Sequence, residues 1–259
     1  RVLGQVLEAR LRDDAGRAAF EQAVARDPEE TGALLGLTQL APDRTARREM
    51  IERYLAAAPK RGELPENVRA AREGLEFLNA LGDKPLWVVE RADLPGEVAL
   101  EPLMSRPGKI GGWVVRLDLG DEKRVPTLLD SGASGLHLDE RTAKRARLEP
   151  LSAGTLVGGG GSGEHTVERG TLARAVIGPV TFSSALVVVA EGSLHSLGTY
   201  KGIIGVDVLG GTIMRFEPRR QLLRLFEASP LVEPADPLEV DPWPKDAADL
   251  PVLLVKGEL

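Results

Sequence analysis

The chain of 259 residues contains no cysteine, which excludes disulfide scaffolds, thiolate metal sites, iron–sulfur clusters and cysteine nucleophiles. Histidine is almost as scarce. The three, His137, His165 and His195, stand too far apart for the paired ligands of a zinc-protease helix, so neither a metal nor another cofactor is expected. Long apolar runs are missing too: the longest, Ala185 to Ala190, suits a buried strand and falls well short of the roughly 18 residues a membrane span needs. Positive charge is in deficit, with 33 Lys and Arg against 39 Asp and Glu and a net charge of −6. Nothing therefore advertises nucleic acid or an anionic lipid surface, and acidic substrates are disfavoured. The first residue is Arg1 and no secretory apolar core follows it. The sequence reads as a processed product or a cut-out piece, with any targeting signal out of view.

What is present suits two domains, at about 100 to 200 residues each. From Val2 to about Leu81 the residues are helix formers, with apolar positions at three- and four-residue spacing: Phe20, Ala23, Val24, then Leu34, Leu37, Leu40. Punctuation at Asp27-Pro28, Pro42-Asp43, Pro59 and Leu64-Pro65 cuts this stretch into roughly four helices, with Asp43 and Pro65 as start signals. The pattern Gly16, Phe20, Ala23, Pro28, followed by Leu34, Leu37 and Thr38, resembles the junction between two helices of a tetratricopeptide repeat, although Gly16 and Thr38 depart from its small-residue positions. Residues 1–83 are thus expected to form a helical, tetratricopeptide-like domain. It serves either as a protein-docking groove or as a cap on its neighbour.

At Lys84-Pro85 the texture changes to Gly, Pro and β-branched residues, with short strand-like runs every 8 to 12 residues. Strands are expected at Leu86 to Glu90, Gly112 to Leu119, Thr127 to Asp130, Thr171 to Ile177 and Thr181 to Ala190, with a closing hairpin around Glu217 to Arg220. Asp139 to Arg147 reads as one short helix with Asp139 as its cap. The expected fold class is α+β multidomain: helical hairpins, then an all-β barrel over residues 84–229. Residues 230–259 begin as a stiff acidic linker, since Pro230 to Pro251 holds six of the eighteen prolines and Glu227 to Leu250 seven acids against Lys245 alone. Pro251 to Gly257 then looks like one more strand. It is either the first of a second lobe or an addition to the barrel already present.

The chemically informative stretch is Val125-Pro126-Thr127-Leu128-Leu129-Asp130-Ser131-Gly132-Ala133-Ser134-Gly135, an apolar strand running into small and hydroxyl residues. Asp, Ser and Gly are ordinary turn formers. Yet a D-[ST]-G-[AS]-[ST] pattern arises by chance only about once in several hundred chains of this length. A second element, Gly202-Ile203-Ile204-Gly205-Val206-Asp207, follows at a sensible distance. Between them Gly158-Gly159-Gly160-Gly161 is flanked by strand-like residues, which suits a mobile hairpin. As a phosphate loop it fails, because no Gly-Lys-Ser/Thr follows. His137, between Leu136 and Leu138, should face away from those apolar neighbours, and no second ligand lies near it in sequence.

Over roughly residues 108 to 228 these elements resemble the retropepsin-like aspartic peptidases of bacteria. The resemblance implies that Asp130 is the catalytic carboxylate and that Gly132, with Ala133, forms the tight turn exposing it. It implies that Ser131 locks the two active-site loops to each other and that Ser134 hydrogen-bonds the outer oxygen of the carboxylate. Gly205 would let the flanking strand pass close behind the loop, and Gly158 to Gly161 would form the flap over an extended peptide or protein substrate. Such chemistry needs two carboxylates about 3 Å apart sharing one proton, and the sequence has a single Asp-Ser-Gly. Asp207 reads as a helix cap or surface residue. The second Asp is expected from a homodimer or from a second lobe absent from the sequence. The competing expectation is a non-catalytic protein-binding module of helices and barrel. From the resemblance alone, export to a bacterial envelope or periplasm is expected.

Overall fold

A computed structural model describes residues 13–157, 164–190 and 200–227 of the chain. The glycines Gly158 to Gly161, His195, the side chain of His165, the proline-rich segment and the strand expected after Pro251 lie outside the described residues. The described residues form two compact units: one holds those up to Lys84 together with residues 151–168, the other residues 85–150 and 169–227. Lys84 and Pro85 fall in different units, and residues 151–168 cluster with the helices. No described helix is long and apolar enough to cross a membrane.

In the first unit four helices follow one another, α1 (Asp13–Arg26), α2 (Thr31–Gln39), α3 (Arg44–Arg61) and α4 (Pro65–Leu81), each packed on the next. Asp43 caps α3 by accepting the Ala46 N–H at 2.8 Å, and Pro65 opens α4 with the fixed φ and missing N–H that a first helical position tolerates. Pro59 does not break the chain as expected. It sits in the last turn of α3, which ends at Gly62 in the left-handed region (φ 65), so little helix remains beyond it to disrupt. Phe20, Leu34 and Tyr54 are fully buried. A Cβ on Gly36 would lie 2.4 Å from the Phe20 ring, so the glycine is what allows α1 and α2 to meet. The Tyr54 hydroxyl donates to Glu63 at 3.5 Å; burial first, then the nearby carboxylate, push its phenol up to about 12.

The strands are β1 (Val88–Ala92), β2 (Gly96–Ala99), β3 (Glu101–Arg106), β4 (Lys109–Leu119), β5 (Glu122–Asp130), β6 (Leu136–Leu138), β7 (Glu149–Val157), β8 (Glu164–Leu172), β9 (Ala175–Ile177), β10 (Val180–Ser183), β11 (Ala185–Ala190), β12 (Gly202–Gly205), β13 (Thr212–Glu217) and β14 (Leu222–Glu227). One large sheet runs β1-β10-β9-β4-β5-β12-β6-β11, with β3 also on β4, and continues to β8 and β7. The bases of β7 and β8 belong to the second unit. The sheet is mixed: β12 lies parallel to β5 and β11 parallel to β6. Its path has two ends among the described residues, so it is a large mixed sheet, and the barrel expected is not closed there. Strands β13, β14 and β2 form a separate antiparallel sheet. The single strand expected from Thr181 to Ala190 is two, because Ser184 adopts a positive φ of 52° between them. The helix α5 (Glu140–Arg145) is shorter than expected but starts as expected, Asp139 accepting the Thr142 N–H at 2.7 Å.

Strand β5 matters most, because it carries Asp130. It is held on one side by β4, in a register that puts Val115 opposite Thr127 and Trp113 opposite Leu129. The turn between the two strands is fixed by Asp118, which accepts the Arg124 N–H at 2.9 Å; that bond holds its carboxyl below the usual range. Leu117, Leu119, Leu136, Leu138, Ile177 and Ile204 fill the core behind.

Candidate active site

Asp130 is the last residue of β5, and the backbone turns directly after it. On its other side β12 runs parallel, with Ile203 beside Leu128, Ile204 beside Leu129 and Gly205 beside Asp130. The two motifs singled out in the sequence thus end at one level of one sheet. Their meeting is local in cause: each is a short apolar strand stopped by glycine-rich turn residues, and β-pairing aligns the stops.

Residues 131–135 are small and mostly exposed, so little apolar packing can order them and hydrogen bonds must. The Gly132 N–H donates to Asp130 Oδ1 at 2.8 Å, and the Ala133 N–H to the Asp130 carbonyl at 3.3 Å. The Gly205 N–H donates to the Gly135 carbonyl at 2.8 Å, joining the two motifs directly. A Cβ on Gly205 would stand 2.4 Å from the Ala133 carbonyl oxygen and 2.3 Å from Asp207 Oδ1. No side chain fits there. Ser131 is exposed.

Ser134 departs from its expected role. Its hydroxyl donates to Asp207 Oδ2 at 2.7 Å and not to the carboxylate of Asp130. The Gly135 N–H also points at Asp207, 3.0 Å from each oxygen. The reason is the short 3-10 helix Val206–Leu209 after Gly205, which brings Asp207 back over the turn. Its cap is Gly205, so of the two expectations for Asp207 it is the surface residue that holds: the side chain is exposed, with its oxygens engaged by the loop. From the other side, His137 Nε2 lies 2.9 Å from the Ser134 carbonyl, while Leu136 and Leu138 are buried in the expected alternation. Asp207 and His137 are loop partners that motif reading missed. A carboxylate two residues after Gly205 was the available signal for the first.

An apolar face flanks Asp130. By the period of two, Leu128 shares its face, and Ile203 is the cross-strand neighbour of Leu128. A Cβ on Gly112 would lie 3.4 Å from both Leu103 and Leu128, which places Leu103 on the same patch. All three are only half-buried. Among the described residues no cluster of three or more His, Asp or Glu could hold a metal ion.

Residues 109–208 match the family model described as Aspartyl protease. Among solved structures, the chain is similar to a retropepsin-like aspartic protease from Rickettsia conorii, at 20% identity and a TM-score of 0.36, covering 54% of this chain and 95% of that one. A comparison with curated proteins found no match. Residues 109–208, the stretch that holds Asp130-Ser131-Gly132, are thus similar to the aspartyl protease family.

Proposed function

We propose that the chain is an aspartic endopeptidase in which Asp130 supplies one of two catalytic carboxylates. The observation that carries this reading is the register of β5 and β12, which sets Asp130 at a strand end beside Gly205, in a loop held by hydrogen bonds. A second copy of the chain, or a second lobe, contributes the other Asp. With the two about 3 Å apart, like charge forbids both to ionise, and the pair holds one proton with two pKa values belonging to the pair. The ionised partner takes a proton from water as the oxygen attacks the peptide carbonyl carbon. The protonated partner gives its proton to that carbonyl oxygen; the first Asp then passes the proton it took from water to the nitrogen as the C–N bond breaks, and the second recovers a proton from the diol as the new carboxyl forms. The substrate is an extended segment with an apolar side chain laid against Leu103, Leu128 and Ile203.

The test is cleavage of a mixed peptide library between about pH 4 and 7, the range in which an Asp pair holds a single proton, by the parent and by Asp130→Asn. The amide retains an oxygen for the Gly132 N–H, so the variant keeps the loop while losing the carboxylate. Cleavage by the parent alone, with apolar side chains preferred next to the cut, is the expected result. Equal cleavage by both, or by neither, overturns the reading and favours a binding module.

A further inference from the structure

Most of the machinery around Asp130 is backbone, and small residues leave its loop without packing. Apart from Asp130 itself, Asp207 brings a carboxylate to residues 131–135, bonding Ser134 and Gly135. It takes the Ser134 hydroxyl at 2.7 Å and the Gly135 N–H at 3.0 Å. The 3-10 helix bearing it is anchored in turn by the buried Val208 and Leu209. It is also joined to β5 through Gly205. An element anchored by buried residues therefore reaches across to a turn that lacks packing of its own, which is the arrangement that holds a reacting group within tolerance.

We propose that Asp207 is a positioning residue for Asp130: through Ser134 and Gly135 it sets the conformation of the turn that aims the catalytic carboxylate, without touching substrate itself. The proposal rests on the peptidase reading for its kinetic consequence but not for its structural one. Charge-assisted hydrogen bonds are the strong kind, and a misplacement of about 1 Å at a reacting group costs on the order of a hundredfold in rate. Asp207→Asn keeps an acceptor for the Gly135 N–H and can donate its amide to the Ser134 hydroxyl, so most of the grip survives. Asp207→Ala removes it. Ser134→Ala removes half.

The experiment is amide hydrogen exchange on the full chain, read at Gly135, with melting temperature as the control for folding. Exchange at Gly135 should quicken about tenfold or more in Asp207→Ala, less in Ser134→Ala and least in Asp207→Asn, while amides in β4 and β5 keep their protection. Peptide cleavage by the same variants should show kcat falling about 10- to 100-fold in Asp207→Ala with KM within about twofold, and recovery of most of that loss in Asp207→Asn. Unchanged exchange at Gly135 in Asp207→Ala overturns the proposal, as does quickened exchange with kcat intact. A parent that cleaves nothing sinks the peptidase reading alone, because the exchange result still decides whether Asp207 orders the turn.

Discussion

Replacing Gly205 by alanine adds one methyl group at the point where the two motifs meet. The backbone there is extended, with φ −74° and ψ 153°, so alanine meets no conformational penalty and the whole cost is space. The new carbon would sit 2.4 Å from the Ala133 carbonyl oxygen, which is backbone, and 2.3 Å from Asp207 Oδ1. Either the Asp207 carboxylate swings away and releases Ser134 and Gly135, or β12 moves off the turn and stretches the Gly205 N–H bond to Gly135. Overpacking costs about 1 to 3 kcal/mol and a lost hydrogen bond about 1 kcal/mol, so the total is about 2 to 4 kcal/mol. At about 2 to 4 °C per kcal/mol for a protein of this size, the melting temperature should fall by about 5 to 15 °C, with faster exchange at Gly135. The companion substitution Gly74→Ala makes the same chemical change inside α4, where the nearest atom to the new carbon is Ile51 Cδ1 at 3.8 Å. It should gain about 0.5 to 1 kcal/mol from the lower flexibility of the unfolded chain. Should Gly205→Ala melt within about 2 °C of the parent, the close passage behind Asp130 is refuted.

Two further outcomes follow from the helical unit. Tyr54 has its phenol raised to about 12 from the ordinary 10.0; an unfolded chain sheds that proton first as pH rises, so this contribution to stability is complete below about pH 10 and is lost between about pH 10 and 12. Denaturant unfolding across that window should show a decline that Tyr54→Phe lacks, and identical slopes would contradict the assignment. Glu73 in α4 accepts both the N–H of Thr155, at 2.7 Å, and its hydroxyl, at 2.8 Å. Glu73→Ala should therefore speed amide exchange at Thr155 about tenfold or more while leaving the Gly135 amide as it was; protection unchanged at Thr155 would show that the helix does not hold the hairpin strand.

Much of the architecture was legible in residue order because its causes are local. Asp43 and Pro65 mark helix starts by what their own side chains and ring do, whatever surrounds them, and the helices begin there. Alternation around His137 likewise states which face is inward, and burial of Leu136 and Leu138 follows it. Where the reading went astray, a distant neighbour or a single backbone angle decided. Pro59 is tolerated only because α3 ends at Gly62, and Ser184 splits a continuous β-branched run by turning to a positive φ.

The site divides along the same line. Chemistry resides in residue types, so the sequence by itself excluded thiol chemistry and, through its resemblance to the retropepsin-like peptidases, pointed to Asp130, Gly132 and Gly205. It could not determine what holds the turn. Ser134 hydrogen-bonds the carboxylate that a later strand and a 3-10 helix bring to it, and a hydroxyl carries no mark of its partner. Strand register across β5 and β12 chose Asp207 over Asp130, because hydrogen bonds are short-ranged and only the tertiary structure says which acceptor lies within 3 Å.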